Sequence, residues 1–182
     1  MSPTTSPDLA RYAEVQGIFA NLLLLDDGSY YGPDGSSRSI SNEIDKTVLV
    51  HLRRKSRALV VGGNTARNEG YKPSERFETF VFTGDPDSLA TGLKPLQFDD
   101  VSDLKVQLVE MLQRYGQILI EAGPSLLKKL IATGEVDYLC LTVIGQPDRE
   151  TLLLRSILDV SNAKLLSKEA VGNTHLSVWR LI

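Results

Sequence analysis

The chain has 182 residues, a length that suits one domain with one sizeable core. Hydrophobic residues make up 42 % and charged residues 24 %, close to the averages for a globular protein. The net charge of -3 is spread along the chain without a basic stripe, so nothing points to a nucleic-acid partner, and the longest apolar runs, such as Leu22 to Leu25, are too short to span a bilayer.

The beginning of the chain and its single cysteine indicate where the protein works. Residues 1–7 carry neither a basic residue nor an apolar core, which argues against a signal peptide and predicts a flexible leader. Cys140 lies in an apolar run and is expected to be a small core residue. One cysteine forms neither an intramolecular disulfide nor a zinc site, so we expect a cytoplasmic protein without a metal.

The first elements are predicted from hydrophobic patterning. Residues 8–14 are compatible with a short helix, and the apolar run 17–25 predicts a strand buried on both faces. Residues 26–39, rich in Gly, Ser, Asp and Tyr, predict a long loop of the kind that often carries function. Ser41 is expected to cap a helix whose inner face holds Ile44, Val48, Leu49 and Leu52.

The remaining elements alternate in type. Strands are predicted at residues 57–61, 77–82, 117–120 and 137–144. Helices are predicted at residues 102–115, 125–133 and 148–158, the first of them capped by Ser102. The tail, residues 164–182, reads as two strands joined by a turn at Gly172-Asn173.

This alternation predicts an α/β fold with a mostly parallel central sheet and an antiparallel C-terminal hairpin. Ligands bind such sheets at the carboxyl ends of the strands. Gly-rich or polar turns follow three of the predicted strands, at residues 26–35, 62–70 and 121–125. We therefore expect these three turns to meet at one edge of the sheet and to form the binding site.

The turn after the 57–61 strand begins with Gly62-Gly63 and continues to Thr65 and Glu69. Glycines there would let the backbone approach a ligand closely, and the Thr65 hydroxyl can donate or accept a hydrogen bond. The alternative is a connection that needs glycine for a positive φ.

The segment Glu121 to Ser125 reads as strand, turn and helix start. The free amides and positive dipole end of a helix suit a pyrophosphate, although an ordinary helix N-terminus is the alternative. The third segment, Asp26-Asp27-Gly28, places carboxylates after a buried strand, either to position a substrate or to build a turn.

Taken together, these segments resemble the reductase domain of bacterial riboflavin biosynthesis, the pyrimidine reductase family, over residues 21–143. The resemblance is carried by Asp27-Gly28, Ser39-Ile40-Ser41, Leu52-Arg53, Gly62 to Pro73, Glu121 to Leu126 and Val136 to Leu139. It implies a single dihydrofolate-reductase-like domain of three layers, with helices on both faces of the sheet, and a homodimer.

The resemblance also implies NADPH as the hydride donor and assigns site residues. The implied cofactor-binding residues are Gly62, Gly63, Thr65, Glu69, Gly123, Pro124, Ser125 and Leu126. The implied substrate-binding residues are Ser39, Arg53, Arg76 and Glu121, the arginines because a guanidinium binds the substrate's ribose phosphate in a bidentate manner. The implied reaction reduces the ribosyl C1′ of a 5-phosphoribosylamino-pyrimidine to a ribityl chain, with Asp27 or Glu121 as the catalytic carboxylate nearest that carbon.

Several departures from the family pattern keep other functions open. The deaminase motifs found in many bacterial relatives are absent, Ser39 replaces a tryptophan, and the tail is some ten residues short. One alternative is an NADPH-dependent reductase of another small substrate, such as a dihydropterin-like ring. Another is a catalytically silent nucleotide-binding relative, which retention of both cofactor and substrate contacts argues against. His51 and His175 are expected to be surface or satisfied core residues rather than catalysts.

Overall fold

The computed structural model of the chain describes residues 6–160 and 162–182. Its eight strands are β1 (Ile18–Leu25), β2 (Ala58–Gly62), β3 (Glu78–Phe82), β4 (Lys94–Leu96), β5 (Ile118–Glu121), β6 (Tyr138–Ile144), β7 (Ala163–Val171) and β8 (Thr174–Leu181). The α-helices are α1 (Glu43–Lys55), α2 (Gly63–Asn68), α3 (Val101–Tyr115), α4 (Pro124–Ala132) and α5 (Glu150–Leu153). Most of the leader predicted for residues 1–7 lies outside the described residues.

All eight strands form one sheet in the order β4-β3-β2-β5-β1-β6-β8-β7. The strands from β4 to β6 in this order are parallel, whereas β8 runs antiparallel to β6 and β7 antiparallel to β8. The predicted parallel sheet with an antiparallel hairpin is therefore confirmed. The carboxyl ends of all the parallel strands meet at one edge, where sheets of this kind bind ligands.

Alternate residues of the central strand β1 enter two different cores, one on each face of the sheet. Leu22 packs into the core that contains Leu104 of α3 and Leu127 of α4. Phe19 packs into the core that contains Leu52 of α1. Each such buried side chain contributes about 1.5–3 kcal/mol. Both faces of β1 are thus apolar, which explains its near-continuous hydrophobic sequence.

The two long helices are capped by the residues immediately before them. Asn42 caps α1, accepting hydrogen bonds from two first-turn amides at 3.1 and 3.0 Å. The cap predicted at Ser41 is wrong, because the Ser41 hydroxyl donates to Asp45 Oδ2 at 2.7 Å instead. The cap predicted at Ser102 is also wrong: Asp100 caps α3 and accepts from the Ser102 amide at 2.7 Å.

The sequence analysis missed α2 and β4. Helix α2 starts directly after β2, and its N-cap is Gly62. Because the φ of Gly62 is -83°, the alternative that this connection needs glycine for a positive φ is wrong. Gly63 is needed for a different reason: a Cβ there would lie 2.8 Å from Thr83 Oγ1. Strand β4 is only three residues long with Pro95 at its centre, and so short a segment shows no strand periodicity.

Near the C-terminus, the helix predicted over residues 148–158 is present in altered form. It consists of the short helix α5 followed by a π-helical turn over Leu154–Leu158, and it ends at Asp159, which has a φ of 57°. The hairpin turn predicted at Gly172-Asn173 is confirmed, with Gly172 at a φ of 62°. None of the helices in the described part of the chain is both long and apolar enough to cross a membrane.

Candidate active site

A cavity of about 790 Å³ opens at the edge where the parallel strands end. Its volume falls within the roughly 300–1,000 Å³ of small-molecule sites. The three polar turns that the sequence analysis expected to converge all line it, with residues such as Tyr30, Thr65 and Glu121. Their predicted convergence is therefore confirmed.

The cavity contains a buried carboxylate, Glu121, that is held by a cation and a phenol. Arg53 Nε donates to Glu121 Oε1 at 2.7 Å, and Arg53 Nη2 donates to Oε2 at 2.5 Å. The hydroxyl of Tyr71 also donates to Oε2, and Arg53 Nη2 contacts that hydroxyl at 2.9 Å. This bidentate pair fixes the plane of the carboxylate.

Burial and mutual attraction keep Tyr71 and Arg53 in defined protonation states. Burial raises the pKa of Tyr71 well above its ordinary value, and the negative charge of Glu121 adds to that rise. Burial is the largest influence on Arg53 and lowers the pKa of its guanidinium, but the hydrogen bonds and charge of Glu121 together with Tyr71 outweigh burial and raise that pKa. Tyr71 therefore stays a neutral hydrogen-bond donor and Arg53 stays a cation.

Three elements bring together Glu121, Arg53 and Tyr71, which we call the trio. Glu121 ends β5, whose pairing with β2 sets it opposite Val61. Arg53 lies in the last turn of α1, one residue beyond the buried Leu52 that anchors this helix to the sheet. Tyr71 follows α2, and its amide donates to the carbonyl of Ala66 at 2.9 Å. The site therefore depends on packing among elements that are far apart in the chain.

The helix α4 starts at the cavity wall. Its N-cap is Gly123, which provides no side-chain hydrogen bond to the first-turn amides, and both Ser125 and Leu126 line the cavity. Pro124 occupies the first helical position, where no amide is needed, and does not line the cavity. The amides of Ser125 and Leu126 thus provide the N–H donors that an anion site at this turn would use.

Glu69 connects α2 to the long loop. Its Oε1 accepts from the Ser37 hydroxyl at 2.5 Å and from the Ser37 amide at 3.3 Å. Glu69, Ser37 and Thr65 all line the cavity. The carboxylate therefore has a loop-anchoring role in addition to the cofactor contact that the resemblance implies.

The sequence analysis missed two polar residues that line the cavity on the α1 side. Asp45, in the first turn of α1, is 4 % exposed; Ser41 donates to its Oδ2, but its Oδ1 accepts no hydrogen bond from the described residues. Asn21 of β1 likewise has a buried Oδ1 that accepts no hydrogen bond from the described residues. Burial raises the pKa of Asp45, the hydrogen bond from the Ser41 hydroxyl opposes the rise, and the charges of Glu121 and Glu69 add to it.

Two cations also line the cavity and were not expected. Arg67 of α2 donates to Asn64 Oδ1 at 2.7 Å and to Ser88 Oγ at 3.0 Å. Lys129 of α4 lies with its Nζ 5.4 Å from the centre of the Phe98 ring. No motif could have identified either residue, because only the fold turns these two helix faces toward the same space.

Five predicted site residues do not line the cavity. They are Pro124, Arg53, Asp27, Ser39 and Arg76, of which Arg53 nevertheless holds the cavity residues Glu121 and Tyr71. Asp27 is fully exposed, and its Oδ1 accepts from the Ser29 amide at 2.8 Å, the turn-building role that was its alternative. Ser39 is exposed and donates to Asp34 Oδ1 at 2.6 Å. Arg76 is exposed in the loop before β3. Of the two predicted catalytic carboxylates, only Glu121 lines the cavity.

The described residues contain no group of three or more histidine, cysteine, aspartate or glutamate side chains that could hold a metal ion. Cys140 is buried, and burial raises its thiol pKa to about 12, which suits a core residue.

Comparison with known families gives one match over most of the chain. The model of the RibD C-terminal domain matches residues 25–175. No curated protein sequence matches the chain significantly.

Comparison with solved structures gives several matches of similar architecture. A pyrimidine reductase-like protein from Corynebacterium diphtheriae is 20 % identical, with 97 % of this chain and 95 % of that chain covered and a TM-score of 0.67. Dihydrofolate reductase from Enterococcus faecalis, complexed with NADP(H) and RAB-propyl, is 18 % identical, with 91 % and 97 % covered and a TM-score of 0.61.

The deaminase/reductase of Thermotoga maritima, a diaminohydroxyphosphoribosylaminopyrimidine deaminase/5-amino-6-(5-phosphoribosylamino)uracil reductase, is 14 % identical. The match covers 95 % of this chain and 59 % of that longer chain, with a TM-score of 0.66. Identities this low show the fold alone, and they confirm the predicted dihydrofolate-reductase-like architecture.

Proposed function

The chain belongs to the family of RibD C-terminal domains, an oxidoreductase family, and from this membership we propose that it is an NADPH-dependent pyrimidine reductase. Its proposed substrate is 5-amino-6-(5-phosphoribosylamino)uracil, whose ribosyl group it reduces to a ribityl chain. The observation that carries the proposal is one cavity with two chemically different ends. Backbone amides and cations lie toward α2 and α4, and Glu121, held by Arg53 and Tyr71, lies toward α1.

The residues at the α2 and α4 side fit a phosphorylated dinucleotide. The uncapped start of α4 provides amides for a pyrophosphate. A Cβ at Gly123 would have only Tyr30 within 4 Å, at 3.6 Å, so the glycine leaves open space beside these amides. Arg67 and Lys129 supply positive charge for the phosphates, including the 2′-phosphate that separates NADPH from NADH.

The trio fits the reacting end of the substrate. In the ring-opened form of the substrate, the C1′–O4′ bond is broken and C1′ is an imine carbon. Bound NADPH would supply the hydride to this carbon, and a proton would go to the imine nitrogen. Both carboxylate oxygens of Glu121 are hydrogen-bonded to Arg53, so the carboxylate is held in one orientation at the reacting end of the substrate. Arg53 keeps its Nη1 without a hydrogen bond to the described residues, and that nitrogen is available to the substrate's phosphate.

The proposal is tested by following NADPH oxidation at the nicotinamide absorbance with this substrate, and with NADH as the comparison cofactor. We expect turnover with NADPH, loss of cofactor binding in Gly123→Asp because a carboxylate would enter the anion site, and a KM for substrate raised about 10-fold or more in Arg53→Ala. Arg76→Ala is the matched control: it removes an exposed arginine, and its KM should stay within twofold of wild type.

A second candidate is supported by one observation. Two of the three guanidinium nitrogens of Arg53 are already engaged by Glu121 and Tyr71, and the other titratable groups beside them, Asp45 and Glu69, are acidic. A ring without a phosphate, such as a dihydropterin, would suit that environment. Turnover of 7,8-dihydropterin with NADPH, and none with the phosphoribosylamino-pyrimidine, would favour this candidate.

A further inference from the structure

Tyr71 is the member of the trio to which the proposed function assigns no role. Tyr71 and Glu121 line the cavity, whereas Arg53 does not. How Arg53 meets a ligand therefore depends on the two partners that hold it.

The hydrogen bonds of Arg53 within the described part of the chain use two of its three guanidinium nitrogens. Its Nε donates to Glu121 Oε1 at 2.7 Å. Its Nη2 donates to Glu121 Oε2 at 2.5 Å and to the Tyr71 hydroxyl at 2.9 Å. A guanidinium is planar and rigid, so fixing Nε and Nη2 also fixes the direction of the remaining nitrogen, Nη1.

The Tyr71 hydroxyl closes a ring of three hydrogen bonds at one corner of the ion pair. It donates to Glu121 Oε2 and accepts from Arg53 Nη2, and these two atoms also bond to each other. A hydroxyl can do both at once, because it carries one donor hydrogen and two acceptor lone pairs. Without this third partner the ion pair could turn as a unit, since both of its side chains are flexible.

The ring of Tyr71 is fixed independently of the ion pair. It packs against the core that contains Leu52, the residue before Arg53. The Tyr71 backbone amide donates to the carbonyl of Ala66 at 2.9 Å. Arg53 Cζ lies 5.5 Å from the centre of the ring, within the range of a cation–π contact. Tyr71 thus holds the guanidinium both by its hydroxyl and by its ring.

The free edge of Arg53 is the part that an anionic ligand can reach. The Arg53 side chain is 32 % exposed, although its Nε and Nη2 face a carboxylate whose side chain is 7 % exposed. The exposed part therefore lies away from Glu121, whose charge also repels an anion on its own side. A phosphate that binds Arg53 would meet it at Nη1.

We propose that Tyr71 is a positioning residue for phosphate recognition: it holds Arg53 in the orientation in which Nη1 meets the 5′-phosphate of the substrate. The inference rests on the proposed function for the identity of the phosphorylated ligand. It adds a residue that acts through Arg53 and does not itself touch the phosphate. The preference for phosphorylated over unphosphorylated ligands then depends on one phenolic hydroxyl.

The experiment measures this preference without the cofactor. Isothermal titration calorimetry gives the Kd of 5-amino-6-(5-phosphoribitylamino)uracil and of the same compound without its phosphate. Wild type should bind the phosphorylated compound at least about 10-fold more tightly, as expected for a hydrogen bond between charged groups. In Tyr71→Phe, which keeps the ring, the preference should fall below about threefold, while the Kd of the unphosphorylated compound stays within about twofold of wild type. A merely structural role of Tyr71 would weaken both compounds equally and leave the preference unchanged.

A second variant, Arg53→Lys, tests whether Tyr71 acts through Arg53. Lysine keeps the positive charge beside Glu121 but lacks the planar fork, so this variant should also lose the preference. The double variant should then lose no more than Arg53→Lys alone.

Tyr115→Phe is the matched control. The Tyr115 hydroxyl also donates to an ion-paired glutamate, Glu78, but this glutamate begins β3 and so lies at the edge of the sheet opposite the cavity. The variant loses a phenolic hydroxyl of the same kind and should keep the wild-type preference.

An unchanged preference in Tyr71→Phe, no preference in wild type, or a double variant that loses more than Arg53→Lys would overturn the inference. NADPH turnover together with an unchanged preference in Tyr71→Phe would leave the reductase standing and refute the role of Tyr71 alone. A preference that depends on Tyr71, without NADPH binding by nicotinamide fluorescence, would support this inference and refute the reductase. Wild type that binds neither uracil compound would refute both.

Discussion

Arg53 and Arg76 are expected to contribute differently to stability, because their surroundings differ. Arg53 has a side chain that is 32 % exposed and meets a carboxylate that is 7 % exposed, so its removal would leave Glu121 buried without a counter-charge. Breaking a buried pair in this way typically costs about 3–5 kcal/mol, and partial exposure of Arg53 lowers that figure. Arg76 is exposed and makes no comparable ion pair among the described residues.

Burial of the Asp45 carboxyl makes the stability of the fold depend on pH. Burial raises the pKa of this carboxyl above its unfolded value, so the folded state binds its proton more tightly than the unfolded state. Stability is then highest below the unfolded pKa and falls as the pH rises through the window up to the folded pKa. Asp45→Asn removes this loss and should raise the free energy of unfolding at pH 8 by roughly 1 kcal/mol.

The measurement is urea unfolding of wild type and Asp45→Asn at pH 4 and pH 8. The advantage of the variant should shrink at pH 4, where a larger share of the wild-type carboxyl is protonated than at pH 8. A variant less stable than wild type at both pH values would contradict this prediction.

At the scale of elements, the start of α2 closely approaches the residue that follows β3. The Gly63 Cα lies so close to Thr83 that an added Cβ would be 2.8 Å from Oγ1 and 3.0 Å from the Thr83 Cβ. Gly63→Ala should therefore cost about 1–3 kcal/mol, because the Thr83 Cβ moves only with its backbone and turning its hydroxyl away would break the hydrogen bond from the Asp85 amide at 3.1 Å.

Chemical denaturation of Gly63→Ala checks this, with Gly84→Ala as the matched control, since a Cβ at Gly84 meets nothing within 4 Å and its φ is not positive. The control should stay within about 0.5 kcal/mol of wild type. If Gly63→Ala changed the free energy of unfolding as little as Gly84→Ala, Gly63 and Thr83 would be farther apart than in the structure.

At the scale of the whole molecule, the homodimer remains a prediction from the family resemblance. Size-exclusion chromatography with light scattering should give a molar mass twice that of the 20.0 kDa chain. A mass of one chain at micromolar concentration would contradict it.

The fold was predictable from sequence where both faces of a strand are buried. Strands such as β1 and β6 consist almost entirely of apolar residues, so their positions follow from composition alone. Helix α2 was missed because its six residues, Gly-Asn-Thr-Ala-Arg-Asn, carry no apolar periodicity. Short elements of this kind are held by what surrounds them.

The candidate site was predictable only where a motif marks it. Glu121 and Gly123 lie in a recognisable strand-turn-helix segment, and the structure puts both at the cavity. Asp45 was missed because an acidic residue in the first turn of a helix is usually a solvated partner of the helix dipole. Its burial depends on where β1 and β6 lie beneath α1, which no local pattern in the sequence encodes.

The sheet order has a consequence for how the protein is made. Strand β1 lies between β5 and β6, so Ile18 pairs with Ile118, and Phe19 pairs with Tyr138. At a synthesis rate of about 5–20 residues per second, roughly 5–20 s pass between the emergence of β1 from the ribosome and that of its first neighbour. During that time one of the most apolar segments of the chain, Ile-Phe-Ala-Asn-Leu-Leu-Leu-Leu, has no partner strand. A newborn chain of this protein is therefore a natural client for chaperones that bind extended apolar peptides, and its yield in cells should depend on them.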